Sequence, residues 1–174
     1  LFHFDAIPLF VAGGIATGKM SAHLLLMGAA GIQMGTRFAV SKESCAHPAF
    51  KDAMLRADAR DAVSTSQFDP RLPVVSVRAL KNEGLRRFGQ LQYDLIGLLN
   101  QGQISLKDAQ AQVEHFWVGA LRRAVQDGDI ENGSIMSGQS VGLVNKIQSV
   151  QEIIGELDQE IETELQRVKK TFCP

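Results

Sequence analysis

Cysteine is scarce in this chain: there are two, Cys45 and Cys173, separated by most of its length. That pattern excludes a disulfide scaffold and a cysteine-rich zinc or iron–sulfur site, and it makes the reducing cytoplasm the expected compartment. Tyrosine and tryptophan occur once each, as Tyr93 and Trp117, too few to build a stacking platform for bases. Neither sign of charge dominates: 18 basic residues face 19 acidic ones, so neither nucleic acid nor an anionic membrane is an expected partner. The longest apolar run, from Ile7 to Ala12, is far too short to span a bilayer, and no signal-peptide pattern opens the chain. The four histidines include no pair at i, i+4 spacing, so no metal site is expected.

What is present suits one domain with a sizeable core: 174 residues, of which 45% are apolar and 21% charged. The opening Leu1-Phe2-His3-Phe4 is not a translation start, and an N-terminal part is expected to precede it. The run Ile7–Ala12 closes on Gly13-Gly14 and reads as a strand buried on both faces of a parallel sheet. A helix is expected from Lys19 to Ala29 and a second strand from Gly31 to Gly35, giving one compact βαβ unit. A helix over Pro48–Ala57 and an extended stretch over Ala62–Leu80 follow. Helices are then expected over Leu85–Leu99, from Ser105 to about Gln126, from near Ser134 to Val144 or beyond, and from Ser149 to about Lys170. The last places Val150, Ile153, Ile154, Leu157, Ile161, Leu165 and Val168 on one stripe, read as core packing. The fold class is therefore α/β. Two strands cannot close a barrel, so most of the sheet is expected outside this chain.

Two glycine-bearing strand ends carry the strongest chemical signal. Gly13-Gly14 and Gly35-Thr36 each follow a strand, one helix apart. In (β/α) barrels the loops after the last two strands commonly hold a phosphate. Glycine lets the backbone approach closely, its amides donate to phosphate oxygens, and the Thr36 hydroxyl adds a donor. Other candidates read as structural. His23 is a core or surface residue, His47 caps a helix or sits in a loop, and His115 packs beside Phe116-Trp117. Cys45 lacks a defined partner, and Arg122-Arg123 solvate a helix face.

The segments Gly13-Gly14-Ile15-Ala16-Thr17-Gly18 and Met27-Gly28-Ala29-Ala30-Gly31-Ile32-Gln33-Met34-Gly35-Thr36-Arg37-Phe38 resemble the flavin phosphate-binding stretch of the nitronate monooxygenase and enoyl-acyl-carrier-protein reductase II family. The likeness continues in order through His47-Pro48-Ala49-Phe50-Lys51, Val77-Arg78-Ala79-Leu80-Lys81-Asn82, Gly119–Ala124, Asp127–Ser134 and Met136-Ser137-Gly138-Gln139. IMP dehydrogenase-like barrels share a Gly-Gly-Ile…Gly-Thr pattern but are not expected to share the later segments.

The resemblance implies the C-terminal part of a (β/α)8 TIM-type barrel with an added helical layer. Residues 1–45 would be its last βαβ unit with the FMN phosphate site; residues 46–174 would be an extended segment and helices on the barrel and substrate entrance. It implies that Gly14, Gly35 and Thr36, with Gly13 and Gln33, hold the FMN phosphate, and that Ser137 and Gln139 approach the flavin or substrate pocket. It further implies oxidation of alkyl nitronates, or NAD(P)H-dependent reduction of enoyl thioesters or quinones. The implied partners are a small-molecule substrate, the N-terminal half of the same protein and a second copy. The family's catalytic histidine belongs to an upstream Gly-Gly-His-type motif. No such sequence occurs here, so no catalytic residue is assigned. A non-catalytic fragment and a non-flavin phosphate-binding barrel stand as the alternatives. Two departures from the family pattern are Thr17, where Asp or Asn is commoner, and an extra helical stretch between Arg86 and His115.

Overall fold

The computed structural model describes residues 7–74 and 76–172. The opening segment and Cys173 therefore lie outside the described residues. Strand β1 (Phe10–Ala12) and strand β2 (Gly31–Gln33) run parallel, with Phe10 opposite Gly31 and Ala12 opposite Gln33. Helix α1 (Gly18–Leu26) connects them, so the expected βαβ unit is present. Thr17 caps α1: its hydroxyl accepts from the Met20 amide at 3.2 Å, a role for this loop threonine in starting the helix.

The expectation that β1 is buried on both faces is corrected. Ile7, Leu9 and Phe10 are 69%, 44% and 63% exposed, because β1 pairs with β2 along one edge and no described residue covers the rest. Leu25, Leu26 and Met27 at the end of α1 extend the same uncovered apolar surface.

After β2 comes the short helix α2 (Thr36–Ala39), then α3 (Pro48–Arg56). Proline at the first position of α3 loses no useful amide, and His47 is its cap, Nδ1 accepting from Ala49 N at 3.1 Å. Strands β3 (Ala62–Ser64) and β4 (Arg78–Leu80) pair antiparallel, and Met136 bridges to Ala79 beside them. The helix expected near Ser134 to Val144 is not formed. Ser134 N donates to Ala120 O, Ser137 N to Arg78 O, and Leu80 N to Ile135 O, so this stretch spends its backbone groups on neighbouring segments. Only the 3₁₀ turn Gln139–Leu143 remains helical.

Helices α4 (Glu83–Asn100) and α5 (Leu106–Val125) pack as a hairpin. Asn82 begins α4: its Oδ1 accepts from Leu85 N at 2.9 Å while Nδ2 donates to Ile130 O and Gly133 O, each at 2.7 Å. Asn82→Ala removes all three bonds and strands two carbonyls. Stability is expected to fall by about 2 kcal/mol in urea denaturation, with Asn82→Asp recovering only the cap. Ser105 caps α5 by accepting from Asp108 N at 3.1 Å, and donates to the Asp108 carboxylate at 2.7 Å.

Two cores result. One gathers Val40, Phe50, Met54, Leu80, Ile135 and Val141 beneath the strands. The other gathers Leu72, Phe88, Leu95 and Val113 within the hairpin, where Phe88 stacks against Phe116 and meets Trp117 at a tilt. His115, expected to pack, is exposed instead, and lines an open groove with Leu91, Asp108 and Gln112.

The last helix, α6 (Val150–Phe172), returns to pack along α1. Its apolar stripe is only partly core. Ile153 and Leu157 are buried, but Val150, Ile154 and Leu165 are 38%, 45% and 39% exposed. The face that meets the βαβ unit is largely acidic. Glu156 pairs with Arg37, Glu160 accepts from Gly18 N, and Glu164 accepts from His23 Nε2 at 2.7 Å. These carboxylates recur every fourth residue, one helical turn apart.

Glu164 is buried and also takes two hydrogen bonds from Arg167, which, with His23, hold its carboxyl down at about 2. Lys19 supplies further positive charge to it. A depressed carboxylate contributes stability that is complete above its ordinary value and fades as pH falls toward the folded one. The grip of α6 on α1 is therefore expected to weaken between pH 4.5 and 2. Hydrogen exchange of α6 across that window checks this; Glu164→Gln should flatten the change.

Candidate phosphate site at the strand ends

β1 ends in Gly13 and Gly14, with φ of +89° and +73°, a left-handed backbone that glycine adopts without strain. A Cβ built on Gly13, Gly14 or Gly35 would meet nothing within 4 Å among the described residues, so the backbone there is bare. Among the described residues, the amides of Gly14 and Gly35 have no acceptor, and the Thr36 amide, in the first turn of α2, is free of the helix ladder.

Thr36 is buried, and its Oγ1 accepts from Gly138 N at 3.0 Å. Its own hydroxyl proton stays available to donate. Gly138 is tightly held: a Cβ there would meet Ser140 Oγ at 3.3 Å, Thr36 Oγ1 at 3.5 Å and Gly14 N at 3.8 Å. Three segments far apart in sequence thus converge. An open cleft of about 650 Å³ adjoins them, lined by Gly14, Gln139, Ser140, Asp58 and Arg60 among others.

Of the residues expected at the site, Gly13, Gly14, Gly35 and Thr36 sit at the strand ends, and Gln139 shares the cleft with Gly14. Gln33 is exposed at the end of β2, opposite Ala12. Ser137 is buried, and its hydroxyl donates to Gly138 O at 3.2 Å, so it braces the turn rather than facing the cleft.

Sequence reasoning missed four contributors. Gly138 was visible only as part of a matching segment. Ser140 and Arg60 carry no local signal; Arg60 is the basic lining residue, 3.3 Å from the Asp58 carboxylate. The fourth is Arg37, beside Thr36. It is buried, and donates to Ala16 O at 2.6 Å and to Gln148 Oε1 at 3.2 Å.

A parallel strand pair with two bare glycine turns, a hydroxyl with a proton to donate and an adjoining cleft can take up an oxyanion. Comparison with known proteins then identifies the frame. The family model described as nitronate monooxygenase matches residues 3–160. The chain belongs to the nitronate monooxygenase family. A probable nitronate monooxygenase of Staphylococcus aureus is 30% identical over 125 residues, covering 68% of this chain and 34% of that protein. FabK from Thermotoga maritima superposes with a TM-score of 0.78 at 34% identity, covering 95% of this chain and 48% of that one. A nitroalkane oxidase from Streptomyces ansochromogenes, 23% identical with a TM-score of 0.67, shares the fold over 94% of this chain and 42% of its own. The chain thus spans about a third of the curated relatives it matches and under half of these solved structures. For a member of the nitronate monooxygenase family, α/β architecture over nearly the whole chain agrees with these TIM-barrel-type neighbours.

Proposed function

We propose that the protein is an FMN-dependent oxidoreductase whose flavin phosphate rests between the loop after β1 and the turn before α2. The observation that carries this reading is the convergence of Gly14, Thr36 and Gly138 at the glycine-bearing strand ends. Gly13, Gly14 and Gly35 present amides, and Thr36 presents its amide and hydroxyl. Arg60 would balance the phosphate charge from the cleft wall, with Gln139 turned toward the flavin or substrate side and Gln33 as an outer contact. Ser137 holds the Gly138 turn that positions Thr36. When bound, the flavin supplies the redox chemistry, and the protein supplies placement and electrostatics.

In this reading residues 1–45 are the last βαβ unit of a (β/α)8 barrel. The N-terminal half of the same protein would cover the exposed Ile7, Leu9, Phe10 and Leu25–Met27. Residues 46–174 form the helical layer, with the α4–α5 hairpin at the substrate entrance or at a contact with a second copy.

Family membership and the Staphylococcus aureus relative support oxidation of alkyl nitronates as the activity. The 34% identity to FabK supports a second reading, NAD(P)H-dependent reduction of an enoyl thioester or quinone. Parallel assays separate them: oxygen uptake with an alkyl nitronate, and NADH or NADPH oxidation with crotonyl thioester or a quinone. Nitronate-dependent oxygen uptake without nicotinamide is the expected result. Flavin-loaded protein inactive on all three would overturn both readings.

A further inference from the structure

Arg37 joins the segment after Gly13-Gly14 and the turn at Gly35-Thr36 to the C-terminal helix. It follows Thr36 in the first turn of α2, directly after the Gly35 cap. One guanidinium nitrogen donates to Ala16 O at 2.6 Å, two residues beyond Gly14. The other lies 3.0 Å from the Glu156 carboxylate and donates to Gln148 Oε1 at 3.2 Å. Glu156 is fixed in turn, accepting from Gln148 Nε2 at 2.6 Å and pairing with Lys146 at 3.1 Å. The Arg37 side chain is 9% exposed and its bond to Ala16 O is buried, whereas Glu156 is 32% exposed, so the bond to the glycine loop is the shielded one. Ile15 and Ala16 are both buried, and Ala16 is the residue Arg37 holds, which gives the glycine loop an anchored end.

We propose that Arg37 is the positioning residue of the phosphate cradle, and that Glu156 of α6 holds it in place. This rests on the reading of Gly13-Gly14 and Gly35-Thr36 as an FMN phosphate site. Amide donors aimed at an anion act strongly only when their spacing is set before the anion arrives. Two cross-links set that spacing here: Gly138 N to Thr36 Oγ1 ties the third segment, and Arg37 to Ala16 O ties the first. The Arg37 guanidinium is engaged by Ala16 O, Gln148 and Glu156, so it acts through Ala16 and not by touching the phosphate.

Paired titrations with FMN and riboflavin test this, read by quenching of flavin fluorescence. Riboflavin lacks the phosphate and reports the rest of the site. For Arg37→Met, FMN affinity is expected to fall roughly thirtyfold, the scale of one or two charge-assisted bonds, while riboflavin affinity stays within about twofold. Arg37→Lys should recover part of the loss. Glu156→Gln should shift the FMN-to-riboflavin ratio the same way, by about fivefold. Equal loss of both ligands, or no change in the ratio, would overturn the inference. Should Arg37→Met fail to fold, the Glu156→Gln ratio decides alone. A wild-type protein with no preference for FMN over riboflavin would instead overturn the phosphate site, which keeps the two failures distinct.

Discussion

Replacing Gly14 with valine is expected to abolish retention of FMN while leaving the fold in place. Gly14 has φ of +73°, where a β-branched residue carries a strain of order 1–3 kcal/mol. Among the described residues nothing lies within 4 Å of a Cβ at this position, so the side chain starts into open space. If the phosphate rests at this loop as proposed, the added bulk takes up space the phosphate needs. Backbone strain and obstruction act together on the anion, and FMN affinity should drop by at least about 100-fold, a few kcal/mol. Gly14→Ala keeps part of the strain with less bulk and should fall between. Flavin absorbance of the purified variants, beside their circular dichroism, checks both halves. Valine at 14 with full flavin content would mean that the phosphate lies elsewhere.

The second large effect concerns the α1–α6 contact. Gly18 opens α1, and its α-carbon is pressed against α6: a Cβ there would overlap the Leu157 carbonyl and lie 2.6 Å from Glu160 Cβ. Its amide donates to the Glu160 carboxylate. Gly18→Ala must push two backbones apart, and it also lengthens that bond. Destabilisation of about 3 kcal/mol is expected, at the upper end for overpacking, despite alanine's better helix propensity. Urea denaturation measures it. Proteolysis should also reach α6 first, because its buried face includes only Ile153 and Leu157 as well-covered apolar anchors. An unchanged midpoint would show that α6 is not seated there.

Much of this was legible in the chain. Gly13-Gly14 and Gly31 punctuate the βαβ unit, Pro48 marks the start of α3, and Ser105 the start of α5, because each rests on local backbone chemistry. The errors fall where distant segments decide. Residues 134–138 have helix-compatible side chains, yet β4 and the Ala120 carbonyl take their hydrogen bonds. Asn82, not Leu85, begins the α4 boundary, since its amide also reaches Ile130 and Gly133. In α6 the apolar stripe is the stronger sequence pattern, although Glu156, Glu160 and Glu164 at four-residue spacing mark the face that docks. Reading those carboxylates as a face would have pointed to cationic or amide partners. The site divides the same way. Gly14 and Thr36 were visible from glycine and hydroxyl at strand ends, while Gly138 and Arg37 matter through contacts 102 and 21 residues away.

The most direct test of the phosphate site follows the phosphate itself. Phosphorus NMR of FMN bound to the protein, titrated from pH 5 to 8, reads its second ionisation. A free phosphate monoester titrates at about pH 6. Held by the amides of Gly14, Gly35 and Thr36, the dianion is favoured, and the bound resonance should stay shifted and flat across that range. A bound resonance that titrates near 6, as free FMN does, would contradict the account.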